Sequence, residues 1–144
     1  MIIGFTGTRH GMTKSQNDQV KLLVAELAAP PSRCREAHHG DCIGADEEFH
    51  AIARRVVGIR IVAHPGNVPA MRAFCRADEV RDPKPFMDRN HDIVTACHVL
   101  LATPHEMHEQ PRGGTWSTIR MARAERKPVT IVWPDGWIAK ERWP

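Results

Sequence analysis

A short turn after the first apolar segment carries residue types that suit phosphate binding. Gly7 permits a tight bend, Thr8 offers a hydroxyl group, and Arg9 supplies a planar cation that can hold a phosphate through two parallel hydrogen bonds. The spacing matches neither the GxGxxG pattern of dinucleotide-binding proteins nor the Walker A pattern. The turn therefore predicts either a phosphate contact or a plain turn with a solvated arginine.

A second turn places two glycines and a carboxylate at the start of a predicted helix. Gly40 and Gly44 would let the backbone approach a ligand, and Asp46 falls in the first helical turn. One hypothesis is that Asp46 binds a ribose hydroxyl or a base edge. The other is that it only compensates the positive end of the helix dipole. Both interpretations stay open on the sequence alone.

A third turn combines consecutive glycines with hydroxyl residues at another predicted helix start. Gly113 and Gly114 precede Thr115 and Ser117, and Arg112 stands just before them. Free backbone N–H groups, the helix dipole and these hydroxyl groups would converge on a phosphate. Simple capping of the helix by Thr115 is the alternative, but the position after a strand favours phosphate binding.

No metal site is predicted from the histidines and cysteines. His38 and His39 are adjacent, so on a strand their side chains point to opposite faces. His105 and His108 have a chelating spacing only on a helix, and the sequence places no third ligand beside them. The cysteines show no CxxC pair or regular spacing, and they are interpreted as reduced thiols; they are Cys34, Cys42, Cys75 and Cys97.

The elements that must position the three turns alternate along the chain. Short apolar runs predict strands, and apolar residues at helical spacing predict helices. The predicted strands are Ile2–Thr6, Glu36–His39, Ile59–Ala63, Val99–Ala102 and Val129–Trp133. The predicted helices cover residues 15–28 (capped by Thr13 or Ser15), 45–56, Asp88–Ala96 and Thr115–Arg126. The proline-rich residues 64–87 predict a long, partly irregular connection, of a kind that is usually functional or mobile.

This alternation predicts the α/β class, with a Rossmann-like open and mainly parallel sheet of about five strands and helices on both faces. Such sheets bind ligands beyond the carboxyl ends of their strands, where the direction of winding reverses. The turns after the first, second and fourth predicted strands are therefore expected to meet in one site.

Length and composition fit a single domain over residues 1–144. Hydrophobic residues make up 42% and charged residues 26%, which argues against a disordered or transmembrane chain. The net charge of +3 is too small to indicate a nucleic-acid surface by itself. The first residues lack a basic segment followed by an apolar run, so we expect no signal peptide and a cytoplasmic location.

Taken together, the motifs resemble those of the SLOG superfamily of nucleotide-binding domains. This superfamily includes the DNA-processing protein A (Smf) family, the LOG phosphoribohydrolases and small stand-alone proteins of the YspA/YpsA type. The resemblance spans about residues 2–134. It rests on the Gly7-Thr8-Arg9 turn, the GADEEFH segment at 44–50, Arg89-Asn90 at the third helix, and the GGTWST segment at 113–118.

The resemblance implies a nucleotide or nucleotide derivative bound across the strand ends. Its phosphate would sit at Gly113–Ser117, with Arg9, Arg89 and Asn90 nearby. LOG enzymes cleave the N-glycosidic bond of nucleoside monophosphates with an arginine, which Arg89 matches, and a glutamate, whose position is Thr118 here. That departure matters because the carboxylate stabilises the positive charge that develops on the sugar.

The leading hypothesis is a small nucleotide-binding protein, either a sensor or an enzyme, whose ligand is a nucleotide or an ADP-ribose-like molecule. Arg89 and Asp46 are the candidate catalytic residues if it is an enzyme, as a hydrolase of the LOG type or a ribosyltransferase-like protein. Single-stranded nucleic-acid binding is a less favoured alternative. No cofactor beyond the nucleotide-derived ligand is expected, and no membrane partner. Homo-oligomers are expected, with Trp133, Trp137 and Trp143 serving in packing or subunit contacts.

Overall fold

Strands and helices alternate along residues 1–143, the part of the chain that the computed structural model describes. The strands are β1 (Ile2–Gly7), β2 (Glu36–His39), β3 (Arg60–Ala63), β4 (Glu79–Val80), β5 (Val99–Thr103), β6 (Val129–Val132) and β7 (Ile138–Glu141). The helices are α1 (Lys14–Ala28), α2 (Ala45–Arg54), α3 (Phe86–Ala96) and α4 (Gly114–Ala124). A 3-10 turn at Pro69–Met71 interrupts the connection between β3 and α3.

The strands form one sheet in the order β4-β3-β2-β1-β5-β6-β7, and this confirms the predicted α/β class with a Rossmann-like sheet. All neighbouring strands are parallel except β6 and β7. The two edge strands were not predicted from the sequence. β4 has only two residues inside the irregular connection, and β7 is an incompletely buried edge strand without an apolar run. Neither offers enough alternation to indicate a strand.

Helices cover both faces of the sheet, and each face has its own apolar core. On the face of α1 and α2, Phe5 of β1 stacks on Phe49 of α2 with 4.3 Å between ring centroids. On the face of α3 and α4, Trp116 packs with Trp133 at 5.6 Å between rings. Trp133 therefore serves in packing within the chain, while Trp137 is exposed. The predicted homo-oligomer stays a prediction.

The helix boundaries shift where caps and prolines act. Thr13 caps α1 by accepting a hydrogen bond from the Gln16 N–H, and the Thr13 N–H in turn donates to Oε1 of Gln16. Helix α3 begins at Phe86, directly after Pro85 and two residues before the predicted start. This earlier start puts Phe86 and Arg89 three residues apart on neighbouring positions of one helix face. Within the described residues, no helix is both long and apolar enough to cross a bilayer.

Candidate functional site

A cavity of about 340 Å³ opens where the direction of winding reverses in the sheet. The order of strands changes direction between β1 and β5, and the cavity lies at the ends of β1, β2 and β5. Residues from all three predicted turns line it. The predicted site residues in this lining are Gly7, Thr8, Arg9, Gly40, Asp46, Arg89, Asn90, Gly113, Gly114 and Thr115. Gly44, Arg112 and Ser117 lie outside the lining.

The first and second turns are joined by their backbones. The carbonyl oxygen of Thr8 accepts a hydrogen bond from the Ala45 N–H at 3.0 Å. Gly44 has a φ of +92°, and a Cβ atom there would lie 2.5 Å from the carbonyl carbon of Arg9. The close approach of the two turns therefore requires glycine at position 44. This requirement explains the residue without any contact between Gly44 and a ligand.

Arg89 forms the floor of the cavity and is only 6% exposed. Its Nη1 donates to the carbonyl oxygens of Gly40 and His64, the latter at 3.0 Å. Its Nε donates to Oδ1 of Asn90 at 2.7 Å, and Nη2 lies 3.7 Å from Sγ of Cys42. Among residues 1–143, no carboxylate lies within ion-pair distance of this guanidinium group. The floor thus holds a buried positive charge whose hydrogen-bond partners are neutral groups.

Asp46 lies beside this cation and is also 6% exposed. Its Oδ2 accepts a hydrogen bond from the Cys42 N–H at 3.1 Å. Burial raises the pKa of Asp46 to about 6, although the positive charge of Arg89 opposes the increase. A carboxyl group with a pKa near neutrality can both accept and donate a proton, which is the property that acid–base catalysis requires.

Gly40 is the residue that lets these two side chains converge. A Cβ atom at this position would lie 2.5 Å from Nη1 of Arg89 and 2.8 Å from Oδ2 of Asp46. Real Cβ atoms essentially never come within 3.0 Å of another heavy atom, so any side chain here would displace the arginine or the aspartate. Gly40 therefore shapes the floor of the cavity by leaving room for the side chains of Arg89 and Asp46.

The third turn leaves backbone open toward the cavity. Helix α4 has Gly113 as its N-cap with a φ of +111°, and no described side chain caps it. The alternative of capping by Thr115 is therefore wrong, because Thr115 lies inside the helix and lines the cavity. Within the described chain, a Cβ atom on Gly113 or Gly114 would meet nothing within 4 Å. This geometry leaves space for a group that approaches the N–H groups of the first helical turn.

The carboxylates in the lining are not where the LOG motif would put one. Thr118, at the position of the missing glutamate, is fully buried and donates its hydroxyl to the Gly114 carbonyl oxygen at 2.7 Å. Asp46 and Glu106 are the acidic residues that line the cavity. Glu106 is held by the Trp116 indole N–H, which donates to its Oε1 at 3.0 Å.

Several lining residues were missed by the sequence reasoning. Phe86 and Met71 form an apolar part of the wall, and Cys42 also belongs to the lining. The signal for Phe86 was its position three residues before Arg89 on a helix, whereas Met71 sits in an irregular segment without periodicity. At the mouth, His10 and His105 pack with 4.4 Å between ring centroids.

One group of potential metal ligands occurs in residues 1–143, away from the cavity, and its hydrogen bonds oppose metal binding. It consists of His39, His50 and Cys75. The Asp41 N–H donates to Nδ1 of His39 at 2.9 Å, so Nε2 of His39 carries the proton and donates to Nδ1 of His50 at 3.0 Å. A metal at this site would need the lone pair of His50 Nδ1, which already accepts the hydrogen bond from His39. Burial also raises the pKa of Cys75 to about 12, which disfavours the thiolate.

Comparison with known proteins supports the fold. No family model matches the sequence, and no curated protein does. The crystal structure of a protein named TM1055 is similar with a TM-score of 0.64 at 18% identity, covering 89% of this chain and 71% of the other. The molybdenum cofactor binding protein of the phototrophic bacterium Rippkaea orientalis is similar with a TM-score of 0.67 at 19% identity, covering 92% and 76%. At these identities the likeness shows a shared Rossmann-like fold.

Proposed function

We propose that the protein binds a nucleotide or nucleotide derivative in the cavity between β1 and β5. The observation that carries this proposal is the buried guanidinium of Arg89, which forms no ion pair with a carboxylate among the described residues. Asp46 lies near this cation but forms no ion pair with it, so the buried charge is only partly compensated and an anionic ligand would stabilise it further. The position of the cavity at the reversal of winding is where Rossmann-like sheets bind such ligands.

The rim supplies groups suited to a phosphate. Gly113, Gly114 and Thr115 present the start of α4, and Arg9 lies in the same lining. The resemblance to the SLOG superfamily supports this arrangement, and the fold agrees with it. A neighbour of the same fold is named for binding the molybdenum cofactor, which supports a small-molecule ligand.

A thermal-shift panel tests this proposal directly. The panel contains nucleoside mono- and diphosphates, ADP-ribose, NAD, cyclic nucleotides and the molybdenum cofactor. A ligand at 100 times its Kd is expected to stabilise the protein by about 2.7 kcal/mol. The absence of any shift at millimolar concentration would reject the proposal. Tight oligonucleotide binding that weakens steeply with salt would instead favour the nucleic-acid alternative.

Hydrolysis of the N-glycosidic bond of a nucleoside monophosphate is the second candidate function. It is favoured by Asp46, whose raised pKa of about 6 and position beside Arg89 suit proton transfer. In this reaction water adds to C1′ of the ribose, the C1′–N bond breaks, and the products are ribose 5-phosphate and the neutral free base. Asp46 would accept a proton from the attacking water and pass it to the nitrogen released from C1′, and Arg89 would hold the anionic substrate.

Chromatography of the released base tests this second function. Activity should be lost in Asp46→Asn while the thermal shift with the nucleotide remains. A wild-type protein that binds the nucleotide and releases no base is a binding protein instead of a hydrolase. Base release that persists in Asp46→Asn would remove the proposed role of Asp46.

A further inference from the structure

The cavity has two chemically different ends along the strand order β3, β2, β1, β5. At the end near β3, Met71 and Phe86 supply a thioether and an aromatic ring, and the Arg89 guanidinium lies against Phe86. At the end near β5, Gly113 to Thr115 supply open backbone and a hydroxyl group. Three strand spacings separate β3 from β5, or about 14 Å at ~4.8 Å per strand. A ligand that uses both ends therefore needs an apolar ring, a spacer and an anion.

Phe86 is fixed on one side and open on the other. A Cβ atom on Gly66 would lie 2.5 Å from Cδ1 of Phe86, so only glycine permits the observed position of the ring. The guanidinium carbon of Arg89 lies 5.2 Å from the ring centroid. The Phe86 side chain nevertheless remains 37% exposed where it lines the cavity. A large aromatic side chain held in this way is a surface on which a second ring can stack.

Met71 is held in place by its backbone. Its carbonyl oxygen accepts a hydrogen bond from the Ile43 N–H at 3.0 Å. The next residue, Arg72, donates from Nε to Oδ2 of Asp41 at 2.9 Å, and Asp41 is itself buried. The segment is therefore anchored, while the flexible thioether can adjust to the outline of a ring.

We propose that Phe86 and Met71 bind the planar heteroaromatic ring of the ligand, opposite the phosphate end at Gly113–Thr115. This inference rests on the proposed function and specifies its ligand class: a glycosyl monophosphate that carries a ring, rather than a sugar phosphate alone. The side chains of Phe86 and Met71 offer carbon and sulfur surface next to the Arg89 guanidinium, so the ring is recognised by stacking. Stacking of a base on an aromatic side chain contributes about 1–3 kcal/mol and tolerates changes of base.

Calorimetric titration of paired ligands tests the assignment. The ligands are a purine nucleoside monophosphate and ribose 5-phosphate, which lacks the ring. The Phe86→Ala variant is expected to bind the monophosphate about tenfold more weakly and ribose 5-phosphate within twofold of the wild type. Phe86→Trp should retain the affinity for the monophosphate. Gly66→Ala, which displaces the ring of Phe86 without removing it, should reproduce the selective loss.

Phe74→Ala is the matched control, because Phe74 belongs to the same connection, is 60% exposed and lies outside the cavity lining. It should change neither affinity. An equal loss for both ligands in Phe86→Ala, or no loss at all, would overturn the assignment of the ring-binding end. A wild-type protein that binds neither ligand but binds another member of the thermal-shift panel would overturn the monophosphate class, and one that binds no member of the panel would overturn the proposed function. These failures are therefore distinguishable.

Discussion

The floor and the rim of the cavity are built in opposite ways. On the floor, Arg89 and Asp46 are buried and hydrogen-bonded to the protein, and Gly40 leaves room for both. On the rim, Gly113 and Gly114 have open space around them, and no described side chain caps the helix they begin. The floor is therefore organised before a ligand arrives, whereas the rim has backbone N–H groups that no side chain caps. Changes to the floor should affect folding and binding together, and changes to the rim should affect binding alone.

The largest effect is expected from Arg89→Ala. Truncating one partner of a buried charged contact costs about 2–5 kcal/mol, so the affinity for a bound nucleotide should fall about 30-fold or more. The loss of stability should be smaller, about 1–2 kcal/mol, because the carbonyl oxygens of Gly40 and His64 lose their donor. Titration calorimetry and urea unfolding measure the two effects.

Arg89→Lys is the control for this change. Lysine keeps the positive charge but cannot reproduce the planar set of donors that reaches two carbonyl oxygens and Asn90. Its affinity should lie between those of the wild type and Arg89→Ala. An Arg89→Ala variant that binds the nucleotide as tightly as the wild type would refute the role of the floor.

Asp46→Asn tests the floor through the pH dependence of stability. The pKa of Asp46 is raised from 3.8 to about 6, so the folded state holds this proton more tightly than the unfolded state. Ionisation therefore costs stability as the pH rises from about 4 to 6, on the order of 2–3 kcal/mol in total. Asparagine removes that cost, so the free energy of unfolding of the variant should rise relative to that of the wild type as the pH rises through this window. Urea unfolding at pH values on both sides of it measures the gain, and a difference independent of pH would contradict the burial of an ionisable group.

The contrast between floor and rim also shows what the sequence could predict. The strands and turns were predictable because apolar runs and glycines mark them locally, and the order of the turns placed Gly7, Gly40 and Gly113 around one cavity. The backbone partners of Arg89 were not predictable. They are carbonyl oxygens of residues 40 and 64, brought together only by the pairing of β2 and β3. Met71 lies in an irregular segment whose path depends on Asp41, a tertiary contact with no sequence pattern.

A pair of glycine substitutions compares the two regions directly. Gly40→Ala places a Cβ atom 2.5 Å from Nη1 of Arg89, and the resulting displacement should cost about 1–3 kcal/mol of stability as well as affinity. Gly114→Ala meets nothing within 4 Å in the described chain, so stability should be unchanged or higher by up to ~1 kcal/mol. Its affinity for the nucleotide should still fall about tenfold, because the methyl group occupies the space in which a phosphate would approach the helix start. A Gly114→Ala protein with wild-type affinity would place the phosphate elsewhere.

The smallest effect is expected from the exposed arginines, which separate true rim residues from neighbours in sequence. Arg9 and Arg112 are both exposed and both were predicted to bind phosphate, but only Arg9 lines the cavity. An exposed ionic contact contributes about 0.2–1 kcal/mol, so Arg9→Ala should weaken nucleotide binding about two- to fivefold at low salt and less at high salt. Arg112→Ala should bind within twofold of the wild type at either salt concentration. Equal losses in the two variants would mean that the rim acts through its general positive charge, since no individual contact would then distinguish Arg9.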